Sequence, residues 1–457
     1  LRARAIAGAI VTIIGLLTFL APPPAGVAPS VMQGAGLVVF AIGMWATQAL
    51  PEHITGLVFL LLVVLTQVAP ANIAFSGFTS GTLWLVLGGL FIAEAVRSTA
   101  LGERFALALL GRFTGTYPLL VSAVVTVATL LCFVMPATLG RVLLLIPIVM
   151  GLSRRLGIAP GSPAYTGLML AAIVSTFQLG TGILPANAPN LVLAGAAEAL
   201  YGIHLDYGEY LLAQFPVLGL IKMPIIVAVT CWMFPARIGG GAIEGSASPM
   251  SAKEWRLAII LLVALAFWAT DVLHGIRPGW IALAAGLIVI MPGIGVMPVS
   301  TFNDTIKFGP FFYIGAVLGL GAVMTHTGTS AALGEILLPA LALAPGEDFR
   351  NFLLLAIAAT AACMITTNPA QPGLLAPLAQ QIAEATGWPL NSALMTAALG
   401  FSNVLLPYAV PPLVVGMQIA GIGLRDGARY TLMLAVLSLL VLTPLNFLWW
   451  RAIGYFG

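Results

Sequence analysis

The chain has 457 residues, 60% of them hydrophobic and only 7% charged, with a mean hydropathy of +1.07. A soluble protein carries roughly 25% charged residues, so 18 basic and 15 acidic side chains cannot coat a water-facing globule. The net charge of +3, thinly spread, also excludes nucleic-acid binding, which leaves an all-α polytopic membrane protein in the lipid bilayer.

A bilayer-crossing helix needs about 20 mostly apolar residues. The first such run, 5–22, follows Arg2 and Arg4, which read as the cytoplasmic flank of an anchor rather than a cleavable signal. Spans follow near 33–50, 53–70 and 81–97. The stretch 117–153 is apolar but broken in its middle by Pro, and reads as a re-entrant hairpin, with a pair of ordinary spans as the alternative. An interrupted span at 164–200 and a span at 210–234 come next. The series then returns as spans at 256–273, 279–297 and 309–326, a hairpin at 350–383, an interrupted span at 391–423 and a last span at 430–450. The expected layout is about eleven transmembrane helices plus two re-entrant hairpins.

Basic residues orient this layout. With the N-terminus inside, the cytoplasmic segments hold Arg2, Arg4, Arg97, Arg104, Arg112, Arg154, Arg155, Arg237, Lys253, Arg256, Lys307, Arg425 and Arg429, whereas the outer ones hold Arg277, Arg350 and Arg451. Arg141 and Lys222 remain at membrane depth or near its edge. The expected location is the cytoplasmic (inner) membrane, with the C-terminus outside. Cys132, Cys231 and Cys363 stand alone in apolar runs, which indicates neither a disulfide framework nor a zinc site.

The chain is internally duplicated. Trp45-Ala46-Thr47-Gln48 returns as Trp268-Ala269-Thr270-Asp271, and Ala100-Leu101-Gly102-Glu103 as Ala332-Leu333-Gly334-Glu335. Pro147 matches Pro377, and Pro189 matches Pro411, in the same order and at nearly the same separation. The expected organisation is an N-terminal anchor and loop at 1–32, a first repeat at 33–235, a cytoplasmic linker at 236–255 and a second repeat at 256–457. Each repeat crosses an odd number of times, so the second must be inverted, an architecture of secondary transporters.

Four Pro-containing breaks fall at membrane depth, two per repeat: Met135-Pro136-Ala137-Thr138 and Thr366-Thr367-Asn368-Pro369 at the hairpin tips, and 184–190 and 406–412 in the interrupted helices. Irregular backbone there must line a cavity or be buried in protein. Half-helix N-termini aim free N–H groups at whatever binds, while exposed carbonyls suit a cation. Thr138, Asn187, Asn190, Thr367 and Asn368 add neutral hydrogen-bonding groups. The pattern describes a small-anion site; kinks with Asn and Thr bonded to neighbouring helices are the alternative.

The stretch 44–51 (Met-Trp-Ala-Thr-Gln-Ala-Leu-Pro), then Phe75-Ser76-Gly77-Phe78 and Trp84-Leu85-Val86-Leu87-Gly88-Gly89-Leu90, resembles the divalent anion:sodium symporter family. The resemblance implies a homodimer with an elevator-type transport domain, carrying di- and tricarboxylates or sulfate, commonly with sodium; a proton is the alternative coupling ion, and no other cofactor is expected. Carried onto this chain, it implies substrate contacts at Thr138, Asn187, Thr367, Asn368, Val410 and Pro411. Arg141, three residues past Thr138 and costly within hydrocarbon, reads as a fixed countercharge for the anion. The cation candidates are Ala137, Ala186, Asn368 and Ala409. The family's Ser-Asn-Thr hairpin motif is altered here: the second tip reads Thr367-Asn368-Pro369, and the first Pro136-Ala137-Thr138 followed by Gly140-Arg141.

Other polar residues have blander readings. Glu94, three residues before Arg97, reads as a helix-face ion pair, and the alternative for Arg141 is a pairing with Glu94 or a carbonyl, or snorkelling to the cytoplasmic side. His326 reads as solvated at a span end, Asp271 and His274 as an outer boundary, and Trp449 and Trp450 as an interfacial anchor. No clustered acids, metal-ligand spacing or nucleophile–base pair suggests an enzyme, so no catalytic residue is expected. No Lys follows a Gly, which argues against an ATP-binding loop. The competing transport reading is a proton- or sodium-coupled oxyanion antiporter of the wider ion transporter superfamily.

Overall fold

A computed structural model describes residues 2–110, 115–238 and 249–457. The expected cytoplasmic Arg112 and residues 239–248 of the expected linker lie outside the described residues. Among the described residues all regular structure is helical, and nine helices are long and apolar enough to cross a membrane. The chain is an all-α polytopic membrane protein.

After α1 (Arg2–Leu20) come α2 (Pro29–Thr47), α3 (Glu52–Leu65), α4 (Gly81–Ser98) and α5 (Leu101–Leu110). The expected first hairpin is the pair α6 (Tyr117–Val134) and α7 (Thr138–Arg155). The interrupted helix is α8 (Pro163–Gln178) and α9 (Ala188–Tyr201), followed by the long α10 (Tyr207–Met233). The same order then recurs: α11 (Ala252–Ala269), α12 (Pro278–Ile290), α13 (Gly309–Thr327), α14 (Thr329–Leu341), α15 (Asp348–Ile365) and the helical run α16 (371–386). The second interrupted helix is α17 (Leu390–Phe401) and α18 (Pro411–Ala420), followed by α19 (Leu424–Ala452).

The likeness of the two series extends to detail. Trp45 donates its indole N–H to Glu52 O at 3.0 Å, and Trp268 to Pro278 O at 3.1 Å, closing the same α2–α3 and α11–α12 corners. Both α10 and α19 contain a π-helical stretch, Pro216–Ile221 and Ser438–Leu442. The Ala-Leu-Gly-Glu match, however, is out of structural register: Leu101 opens α5, whereas Ala332 already lies inside α14. A four-residue identity in an Ala- and Leu-rich chain survives displacement along a helix.

Many of the 50 glycines serve packing rather than breaks. A Cβ at Gly88 would lie 2.2 Å from the Ala282 carbonyl carbon, and one at Gly279 would lie 2.1 Å from Gly81 O. Between membrane helices, small residues allow this backbone approach where no hydrophobic force draws helices together. Here they lock α4 against α12, and the counterparts α13 and α3 meet likewise at Gly56 and Ala316.

Trp449 and Trp450 correct one expectation. Both donate indole N–H groups to backbone carbonyls of α10, Leu212 at 2.8 Å and Ala213 at 3.0 Å, and Trp450 is fully buried. They join α19 to α10, and burial removes Trp450 from the interfacial role expected of the pair, while Trp449 stays partly exposed. At the other end of the pair, Thr230 and Tyr430 share a hydrogen bond of 2.6 Å, so α10 and α19 run antiparallel. Glu94 and Arg97 form the expected helix-face ion pair at 2.5 Å, and His326 is exposed.

Candidate functional site

Each hairpin tip meets the break of an interrupted helix. At the first tip, Pro136 supplies no N–H and a fixed φ, and its neighbours Met135 and Ala137 are extended at φ −123° and −116°. Thr138 then opens α7 and donates its hydroxyl to Asn187 Oδ1 at 2.7 Å. Asn187 is extended (φ −132°, ψ 147°) at the start of α9, and its Nδ2 donates to Phe177 O at 2.8 Å. Asn190, one turn on, spans the same break, donating to Gly180 O and Ile183 O at 3.0 and 2.7 Å.

The guanidinium of Arg141 lies in the middle of this knot, fully buried. Nε and Nη2 both donate to Thr176 O, at 3.1 and 2.7 Å, and Nη1 donates to Ala186 O at 2.9 Å and to Met135 O. Nη2 also reaches Asn187 Oδ1 at 2.7 Å and Thr138 Oγ1 at 3.2 Å. Of the partners considered for Arg141, the structure gives carbonyls rather than Glu94. The rigid fork of donors suits such a ring of acceptors, as a lysine would not.

The second tip is built more from main chain. The Asn368 N–H donates to Ala409 O at 3.1 Å, and its Nδ2 to Phe401 O at 2.8 Å. Asn368 Oδ1 is buried without a protein partner. Thr367 shares a 3.3 Å hydrogen bond with Tyr313 OH. Val410 is buried and extended at the start of α18, and Pro411 is that helix's first residue.

The two knots are joined across the two halves of the chain. α18 packs on α7 and α8, and α9 packs on α16 and α17. Gly416 faces Val142 and Ile173, Gly373 faces Val317 and Val192, and Tyr165 OH donates to Ala420 O at 3.1 Å. The structure therefore brings Thr138, Arg141, Ala186 and Asn187 together in one knot, and Asn368 and Ala409 in another, with Thr367 beside the second.

Sequence reasoning passed over three participants. Thr176 and Tyr313 carry no local signal, because each lies in a mostly apolar helical run, Thr176 in α8 ahead of the first break and Tyr313 in α13. Lys222 stands at membrane depth with no partner near it in sequence; its Nζ donates to Ser402 O at 2.7 Å, at the end of α17. A separate shallow cleft runs past Thr82, Glu198, His204 and Arg277 to Leu184 at the first break. Its wall is held by Arg277 Nη1 and Ser80 Oγ donating to Glu198, at 2.9 and 2.6 Å.

Three of the four expected cation ligands already accept a hydrogen bond through their carbonyls. Ala137 O accepts the Arg141 backbone N–H, Ala186 O the guanidinium, and Ala409 O the Asn368 N–H. Of that set only Asn368 Oδ1 lacks a protein partner. A hard cation needs several oxygens at once, and at the first break the Arg141 guanidinium, itself a cation, already lies against Ala186 O, so that break as arranged does not fit a sodium ion. Among the described residues there is also no cluster of His, Cys, Asp and Glu that could hold a metal.

Residues 3–456 match the model of the sodium:sulfate symporter transmembrane region, which is the divalent anion:sodium symporter family. The chain belongs to that family. It is 24% identical to the inner membrane protein YbhI of Escherichia coli, over 97% of this chain and 96% of that one. It is 22% identical to the L-tartrate/succinate antiporter of the same organism, over 82% and 80% of the two chains. The fold is similar to the crystal structure of the YdaH transporter of Alcanivorax borkumensis, with a TM-score of 0.54 at 16% identity, covering 88% and 90% of the two chains.

Proposed function

We propose that this family member is a secondary active transporter of small anions, di- or tricarboxylates or sulfate-like ions, across the cytoplasmic membrane. The observation that carries the reading is the latching of a hairpin tip to a broken helix twice over, amid buried hydrogen-bonding groups of which only Arg141 is charged. In this reading Thr138, Asn187, Thr367 and Asn368 offer side-chain contacts. The helix starts at Thr138 and Ala188 turn backbone N–H groups toward the anion, Val410 and Pro411 close the second break without free N–H groups of their own, and Arg141 adds positive charge behind Asn187. The relationship to a tartrate/succinate antiporter favours a dicarboxylate.

The units are inferred as inverted repeats at 33–235 and 256–457, joined by the 236–255 linker and preceded by the 1–32 anchor. The antiparallel pairing of α10 and α19, the last helix of each unit, supports that inversion. Two such units supply two conformations of similar energy, one open to each side. Family membership supports a homodimer with elevator-type movement, and the basic residues favour a cytoplasmic N-terminus.

The test is uptake of labelled succinate, tartrate and sulfate by proteoliposomes preloaded with unlabelled anion. Saturable uptake of at least one, competed by its congeners, is expected. Uptake that never exceeds protein-free vesicles for any of them would sink the reading.

A further inference from the structure

Among the described residues two basic side chains are buried, Arg141 at 0% exposure and Lys222 at 1%. No ion pair in the described residues involves either of them, so each is compensated by oxygens that carry only partial charge. Those oxygens share a position in the fold. Thr176, which receives two of the Arg141 donors, lies in the last turn of α8, the half-helix that runs into the first break. Ser402, which receives Lys222, directly follows α17, the half-helix that runs into the second. Helix C-termini carry unpaired carbonyls and the negative end of the dipole, and favour a cation.

An ion from solution would need these same oxygens. At the first break Thr176 O, Ala186 O, Met135 O and Asn187 Oδ1 all accept from one guanidinium. At the second, Ser402 O accepts from Lys222, while Phe401 O and Ala409 O accept from Asn368. Lys222 reaches this place from α10, in the other half of the chain, so the contact also ties the two halves at the site.

We propose that Arg141 and Lys222 are tethered cations that take the place of coupling ions at the two breaks, so that the anion binds and moves without co-bound sodium. The inference rests on the anion-carrier reading above and deepens it. Charge compensation then comes from within the chain, and the transport mode that follows is exchange of one small anion for another.

The experiment compares thermal unfolding of the purified full chain in sodium chloride and in choline chloride of equal ionic strength. It adds succinate uptake into succinate-loaded proteoliposomes under the same two conditions. The wild type is expected to show the same Tm in both salts and the same uptake. An ion coupled to the anion would change its affinity by about 5- to 150-fold, so a saturable sodium-dependent rise in Tm, or sodium-dependent uptake, overturns the proposal. Arg141→Met frees the acceptors of the first break and is expected to lower Tm, with saturable partial recovery in sodium chloride that the wild type lacks. An Arg141→Met protein of wild-type Tm and indifferent to sodium also overturns it. Should that variant not fold, the wild-type salt comparison still decides. Should no succinate enter the vesicles, the carrier reading loses that substrate while the Tm comparison continues to judge the tethered cations.

Discussion

The hydroxyl of Thr138 donates to Asn187 Oδ1 at 2.7 Å, joining the first hairpin tip to the first helix break. The second half of the chain makes the same join with main chain, from the Asn368 N–H to Ala409 O at 3.1 Å. Equivalent places are held by different chemistry. A side-chain latch can be removed by mutation, while a backbone latch survives it.

This difference separates two alanine variants. Asn187→Ala removes the partner of Thr138 Oγ1, of one Arg141 nitrogen and of Phe177 O together, all buried. Each buried group left unsatisfied costs about 1–3 kcal/mol. Asn368→Ala removes only the side-chain bond to Phe401 O and keeps the bond to Ala409. Both variants are expected to abolish saturable anion uptake, but only Asn187→Ala to lower Tm strongly. Equal Tm values, or wild-type uptake in both, would contradict the assignment.

Gly180 tests the knot without touching a hydrogen bond. A Cβ there would sit 3.0 Å from Asn187 Oδ1 and 3.1 Å from an Arg141 terminal nitrogen. Gly180→Ala must push that pair aside, and overpacking of a buried site costs about 1–3 kcal/mol. The expected result is weaker anion binding with a modest drop in Tm. Unchanged uptake kinetics would mean that the positions of Asn187 and Arg141 do not matter to the anion.

How much of this was legible beforehand depends on the distance over which each contact acts. Pro136, Pro185, Pro369 and Pro411 mark the breaks because a Pro within an apolar run acts on its immediate neighbours. The Arg141–Thr138 contact spans three residues and could be guessed. The partners of Arg141 at Thr176 and of Lys222 at Ser402 could not, since they join through folding segments 35 and 180 residues apart. Trp450 misled for a related reason: next to Trp449 and Arg451 it has the local sequence of an interfacial belt, and only the path of α10 gives its indole a buried acceptor. Glycine at contacts such as Gly88 is likewise ambiguous locally, because close packing and a broken helix use the same residue.

The glycine contact between α4 and α12 gives a stability prediction away from the site. At Gly88 the obstructing atoms are backbone atoms of Ala282 and Leu283, which cannot rotate away. Gly88→Ala must separate the two helices, and a loss of about 1–3 kcal/mol or more is expected. At Gly151, where nothing lies within 4 Å of an added Cβ, the same substitution is expected to leave Tm unchanged. Equal Tm for the two variants would show that the helices separate at no cost.

Trp449 and Trp450 give the last prediction, which distinguishes a buried join from a membrane anchor. Both donate to neighbouring carbonyls of α10, yet Trp450 is fully buried while its neighbour's bond is exposed. Trp450 also packs edge-on to Phe352, so Trp450→Phe keeps most of the aromatic volume and removes one donor. Ala213 O is then left buried without that partner, at about 1–3 kcal/mol. At Trp449 the carbonyl can find water or a lipid headgroup, and the loss should be small. Tm of the two Phe variants, measured in detergent, should therefore fall clearly for Trp450 and barely for Trp449. If both residues anchored the protein in the interface, the two variants would instead behave alike in detergent and differ from wild type only in a bilayer. That outcome would remove the argument that α10 and α19 are held together at this end.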